Sequence, residues 1–308
     1  VDTLVVEVIL NSEAKATVCG LFAIALWCAA PGLIRSLSQL FSPLGGAALM
    51  YTLGAFLLVI FLGRPHIRQW PRSYLIVGSA LFVAYEICLS LSLGYAQDNA
   101  QAIELGVVNY LWPCLTVMLA IAMNGQKARW IIVPGSACAL FGILWVVSGD
   151  GLAVSKIAER ISSNPLSYSL SLSGALIFAL YCNVTRRYAG GQNGVAFFFT
   201  LTAIALWIKY AFSDQQIGLF TVRNTIELIA AATSMAGGYA LWNVGILRGN
   251  LTLLATVSYF APVLSSAFAA AWLGAVVTTQ FWQGAMFVTV GSLICWAATR
   301  RRTVPPEL

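Results

Sequence analysis

What most restricts this chain is the spacing of its polar residues. Apolar runs of roughly 20 residues, the length that crosses a bilayer, follow one another with only short joints between them. Ten spans are predicted, near Ala16–Leu37, Gly45–Leu62, Tyr74–Tyr95, Ala102–Met123, Ile131–Ser148, Leu166–Arg186, Gly194–Phe212, Thr225–Leu247, Leu251–Leu273 and Thr279–Ala298. The joints hold turn-formers such as Ser42-Pro43, Asn124-Gly125 and Gly249-Asn250. Only 9% of the residues are charged, against about 25% in a soluble domain. A chain of 308 residues that is 59% apolar has too much apolar surface to hide inside itself, so its solvent is lipid. In lipid every backbone polar group must be bonded within the protein. The predicted fold class is therefore an all-α membrane protein.

Lysine and arginine orient such a bundle, because short cytoplasmic loops carry the positive charge. With the amino terminus inside, the inner side collects twelve basic residues: Lys15, Arg64, Arg68, Arg72, Lys127, Arg129, Arg186, Arg187, Arg248 and Arg300 to Arg302. The outer side holds five, Arg35, Lys156, Arg160, Lys209 and Arg223. Both termini are thus expected in the cytoplasm. The net charge of +6 does not point to nucleic acid, since the basic residues mark the ends of apolar spans. Segment 1–14 lacks the basic start and cleavage site of a signal peptide and is read as a lead-in outside the core. Segment 149–165 is expected as a periplasmic linker with room for a short surface helix, and 303–308 as a tail. The seven cysteines lie inside apolar spans without Cys-x-x-Cys spacing, so neither a disulfide framework nor a metal site is expected. His66, the only histidine, sits in a basic inner loop. With no nucleophile–base pair and no phosphate loop, the chain is expected to be no enzyme and to need no cofactor.

The halves repeat. Ala25-Leu26-Trp27-Cys28 returns as Ala179-Leu180-Tyr181-Cys182, with Gly20 and Gly174 at the same offset of 154. Further on the offset is 149: Tyr110 with Tyr259, Pro113 with Pro262, Gly135 with Gly284, Gly142 with Gly291. Segments 15–148 and 166–302 each hold five of the predicted spans, and an odd number turns the second half upside down. Two inverted five-helix repeats place a binding site near the midplane, with access alternating between the two sides. Pro113 removes a backbone donor at membrane depth and Pro262 does so at the equivalent place, so a break is predicted at each, and both prolines are candidate conformational pivots.

The long stretches Leu81–Tyr95, Glu104–Pro113, Leu241–Asn250 and Phe281–Ala285 resemble the drug/metabolite transporter superfamily, in its EamA-type branch. The similarity extends over nearly Lys15 to Arg302. The resemblance implies a secondary transporter of the bacterial inner membrane that exports phenylalanine, tyrosine and tryptophan. It implies no obligatory protein partner beyond the lipid bilayer. The alternative it leaves is a multispecific exporter of cationic aromatic drugs such as quaternary ammonium compounds.

Candidate site residues follow from depth and face. Glu86 lies near a span centre, where a charge is costly unless hydrated, paired or protonated. Two readings stay open for it: contact with a substrate ammonium or a proton, and a carboxyl that locks helices together. Trp27, Tyr85, Trp112, Tyr181, Tyr239 and Tyr259 also fall near span centres rather than in the interfacial belts usual for Trp and Tyr, and Tyr110, Trp242 and Phe260 share that depth. Such rings are suited to stacking on an aromatic ligand. Asn109 and Asn243 are expected to hydrogen-bond its zwitterionic end. Glu104 is read as a mouth residue or a partner for Arg35.

Overall fold

Helix follows helix with few residues between. The computed structural model describes residues 2–65, 67–125, 127–149 and 153–299, the side chains of 2–12, 243, 246–247, 251–252, 255–256 and 299 excepted. His66, Arg300 to Arg302 and the tail 303–308 lie outside the described residues. In chain order the helices are α1 (Asp2–Phe41), α2 (Pro43–Leu62), α3 (Ser79–Gly94), α4 (Asn99–Asn109), α5 (Trp112–Asn124), α6 (Ile132–Ser148) and α7 (Val154–Ser163). There follow α8 (Pro165–Tyr188), α9 (Val195–Ala211), α10 (Val222–Arg248), α11 (Leu251–Ser258), α12 (Ala261–Leu273) and α13 (Thr279–Thr299). A π-helical turn, Tyr74–Gly78, leads into α3. No strand occurs among the described residues. The fold is all-helical.

Local chemistry accounts for the ends. The Asp98 carboxylate accepts from the Gln101 amide at 2.6 Å and opens α4. Asn164, Thr221 and Asn250 cap α8, α10 and α11 in the same way. Gly125 closes α5 at φ 62° and Gly274 closes α12 at φ 63°, a left-handed conformation that favours glycine.

Among the described residues six stretches are long and apolar enough to cross a membrane: Glu13–Phe41, Pro43–Leu62, Tyr74–Gly94, Asn99–Asn124, Pro165–Tyr188 and Thr279–Ala298. Ile132–Ser148, Val195–Ala211 and Ala261–Leu273 are apolar but shorter. The shortfall from the ten predicted spans has visible causes. Helices α6 and α9 have 17 residues each, just under the usual ~20. Tyr259 and Phe260 interrupt the ninth predicted span, and the uncharged middle of α10 is diluted by Thr233, Ser234, Gly237, Gly238, Tyr239, Trp242 and Asn243.

The helices pack as α1 on α10, α6 on α13, α2 on α9 and α3 on α8, with α5 also on α8 and α12 on α1. Glycine allows the closest crossings. A Cβ on Gly142 would lie 2.7 Å from the Gly284 carbonyl oxygen, and one on Gly291 would lie 2.7 Å from that of Gly135, so α6 and α13 touch backbone to backbone. Small residues serve this purpose in membranes, where apolar area between helices gives no advantage over lipid. Between α2, α3, α9 and α10 lies a wedge of fully buried rings, Tyr51, Phe82, Phe198 and Phe199. This wedge backs the space described next.

Candidate functional site: a ring-lined cavity at two helix breaks

The chain path breaks twice at equivalent places. Helix α4 ends at Asn109, and α5 starts at Trp112 with Pro113 in its first turn; α11 ends at Ser258, and α12 starts at Ala261 with Pro262 in its first turn. At the first break the amides of Tyr110 and Leu111 turn back to the Gly106 and Val108 carbonyls, both at 3.2 Å. Proline has no N–H, so the bond that Asn109's carbonyl would receive four residues on is not made.

A cavity of about 250 Å³ opens where these breaks meet α1, α3, α8 and α10. Of the nine binding residues expected from sequence, Trp27, Tyr85, Asn109, Trp112 and Tyr239 line it. The rings form two groups. Trp27 meets Tyr239 at 5.1 Å and Trp242 at 5.3 Å between centroids. Tyr85 lies 4.3 Å from Phe178, and Trp112 stands edge-on to the same ring at 4.9 Å. Asn109 donates through Nδ2 to the Ser171 carbonyl at 3.3 Å. Among the described residues that line it there is no lysine, arginine, aspartate or glutamate.

The remaining candidates stand elsewhere. Glu86 is fully buried behind the wall, accepting from the phenols of Tyr51 at 2.6 Å and Tyr239 at 2.8 Å. Ser90 in turn donates to the Tyr51 oxygen at 3.4 Å. A buried acid served by hydroxyl donors from α2 and α10 ties three helices together, and one of those donors, Tyr239, lines the cavity. Tyr181 packs on Phe82 and Phe178 outside the lining, and Tyr259 packs near Trp296. Asn243 belongs to α10, with its side chain outside the described set. Pro113 and Pro262 are buried beside the breaks and do not line the cavity.

Phe178 is the lining ring that the sequence reading missed, whereas Tyr110 and Trp242, expected at this depth, line the cavity too. One signal points to Phe178: Gly174, Phe178 and Cys182 recur at four-residue steps and share a helix face with the repeated motif.

The partner of Glu104 also differs from expectation. Glu104 pairs with Arg160 of α7 at 3.0 Å and accepts from the Tyr168 hydroxyl. Burial works against the Arg160 charge, but the adjacent Glu104 carboxylate outweighs it and raises the guanidinium's pKa. Arg35 instead donates to the carbonyls of Leu93 and Gly94 and to Asn99. The linker does contain a short helix, α7, and that helix supplies the guanidinium.

No family model matches the chain. It is 52% identical over 289 residues to the aromatic amino acid exporter YddG of Salmonella typhimurium, covering 94% of this chain and 99% of that protein. It is 53% identical over 288 residues to the aromatic amino acid exporter YddG of Escherichia coli, covering 93% and 98%. A protein crystal structure at 22% identity matches the fold with a TM-score of 0.67, over 95% of this chain and 100% of that one.

Proposed function

We infer that this chain, which belongs to the family of the aromatic amino acid exporter YddG, exports phenylalanine, tyrosine and tryptophan across the bacterial inner membrane. The observation that carries the reading is the cavity at the two helix breaks, walled by rings and free of ionised side chains. Stacking and apolar burial there favour an aromatic side chain. The chain acts as a carrier, with no bond made or broken.

The proposed architecture is ten membrane-crossing segments in two inverted repeats, 15–148 and 166–302, joined by a periplasmic linker at 149–165. Three features support it. The breaks stand 149 residues apart, as do the caps Gly125 and Gly274. Contacts pair each position with its partner's repeat mate: Gly142 meets Gly284, and Gly291 meets Gly135. The cavity itself is lined by repeat mates, Ile24 with Phe178 and Tyr85 with Tyr239 at 154, Asn109 with Ser258 and Trp112 with Ala261 at 149. Rocking of one repeat on the other, with Pro113 and Pro262 as pivots, would open the cavity to each side in turn. Both termini then face the cytoplasm. Trp27, Tyr85, Asn109, Trp112 and Tyr239 are assigned to substrate contact, while Glu86 acts by holding Tyr239.

The test is counterflow in proteoliposomes with labelled phenylalanine against unlabelled competitors. Tyrosine and tryptophan should compete strongly and aspartate or lysine should not. Competition independent of side chain would refute the reading. Export of cationic aromatic compounds such as quaternary ammonium drugs is a second reading, favoured by the lack of any lysine or arginine in the lining. It requires such compounds to displace phenylalanine from the same site.

A further inference from the structure

We propose that Asn109 is the ammonium-binding residue of the cavity, offering the substrate two acceptors: its main-chain carbonyl and its side-chain Oδ1. The proposal rests on the export reading and deepens it, naming which end of the amino acid head group is recognised and by what.

Asn109 is 5% exposed and lines the cavity. Its Nδ2 faces the Ser171 carbonyl at 3.3 Å. The opposite amide orientation would set two acceptors face to face, so the hydrogen-bond pattern decides the assignment. Oδ1 then has no hydrogen bond among the described residues. The main-chain carbonyl loses its helical donor four residues on, because Pro113 has no N–H. A single buried residue thus presents two acceptors at the wall of a cavity, beside the one Nδ2 hydrogen that Ser171 does not take. A ligand with several N–H donors can bond both acceptors at once. The carbonyl also stands at the end of α4, where the helix dipole is negative.

The fold makes room for this residue. A Cβ on Gly174 would lie 3.1 Å from the Asn109 Nδ2, so the bare glycine lets α8 close against the amide and fix it. Rival groups for an ammonium are engaged. Both Glu86 oxygens already accept from phenols. Glu104 is paired with Arg160. Tyr85 and Trp112 line the same cavity, and aromatic rings favour a cation over an anion. The carboxylate has no matching cation in the lining, so the amino group is the part of the head group that determines affinity.

Three ligands separate the two ends: phenylalanine, phenethylamine (no carboxylate) and 3-phenylpropionate (no ammonium). Their displacement of labelled phenylalanine from the purified protein is the measurement. Phenethylamine should bind at least roughly tenfold more tightly than 3-phenylpropionate, the scale of hydrogen bonds to a charged group. Asn109→Leu should weaken phenylalanine by a similar factor and leave 3-phenylpropionate unchanged. Pro113→Ala returns an N–H to the carbonyl while keeping the asparagine, and should shift the two ligands' ratio in the same direction. Equal or tighter binding of 3-phenylpropionate than of phenethylamine would overturn the proposal, as would equal losses for phenylalanine and 3-phenylpropionate in folded Asn109→Leu. If that variant does not fold, the ligand ranking on the unmodified protein decides. Failure of phenylalanine to bind the unmodified protein would defeat the export reading and this proposal together, whereas failure of the ranking alone leaves export standing.

Discussion

Replacing Trp112 with alanine tests whether the cavity selects rings by contact with rings. The indole lines the cavity and stands edge-on to Phe178 at 89°, while its repeat mate is Ala261. Trp112→Ala therefore gives both mates the same small side chain and takes away one of the three rings packed on Phe178, leaving Tyr85 and Tyr181. Two losses follow. One is buried apolar area, which phenylalanine and leucine share as ligands. The other is a ring–ring interaction worth about 0.5–1.5 kcal/mol beyond burial, which leucine never makes. Any loosening of Phe178 belongs with the shared loss. The ratio of the two affinities isolates the second effect, and it should fall by roughly 2- to 12-fold. The assay is displacement of labelled phenylalanine by each amino acid, on the unmodified protein and on the variant, with a melting curve to show that the variant is folded. Equal weakening of both ligands in a folded variant would refute the reasoning and make Trp112 part of the scaffold.

Other outcomes follow from the same geometry. Pro113→Ala and Pro262→Ala should slow counterflow while folded protein still forms, and unchanged turnover in both would remove the prolines from the mechanism. Glu86→Leu strands the hydroxyls of Tyr51 and Tyr239 and should lower stability by about 1–3 kcal/mol per group, whereas Glu86→Gln, which keeps an acceptor, loses less. A large loss of phenylalanine affinity with an unchanged melting point would instead place Glu86 in direct contact with substrate. Gly142→Ala presses on the Gly284 carbonyl and the Val288 amide, both at 2.7 Å, and should destabilise by about 1–3 kcal/mol. Gly106→Ala, whose nearest neighbour is 4.0 Å away, should leave the melting point nearly unchanged, and identical melting of the two variants would contradict the crossing. A cysteine at Ser155 in α7 should react with an impermeant reagent from the periplasmic side and one at Lys127 should not, with reversed labelling inverting the topology.

The helical class was legible because polar spacing and the demands of lipid leave few alternatives. Helix breaks could be located because proline acts on backbone chemistry within four residues of itself. Rings such as Trp27 and Tyr85 could be picked out because Trp and Tyr at span centres contrast with their usual place. Phe178 gave no such contrast, since phenylalanine is at home anywhere in an apolar span. Glu86 shows the opposite difficulty. Its position marks it as costly, but what satisfies it are hydroxyls 35 and 153 residues away in sequence, which no local spacing encodes. Arg160 was likewise obscured, because charge counting treats a linker arginine as an orientation signal and carries no information about which carboxylate it reaches.

The crossing of α6 and α13 has a consequence for how such a chain can be assembled. Gly135 touches Gly291 and Gly142 touches Gly284, so each contact joins one position to the duplicate of the other. A surface with that property is complementary to itself under a two-fold rotation. A gene encoding only the first half would make a polypeptide carrying both sides of the joint, able to pair with an oppositely inserted copy of itself. Covalent fusion through the linker removes the need for two copies and for dual insertion. On the inverted-repeat architecture proposed above, each half is free to diverge, and Trp112 opposite Ala261 would be one such pair, an asymmetric chamber within a symmetric frame.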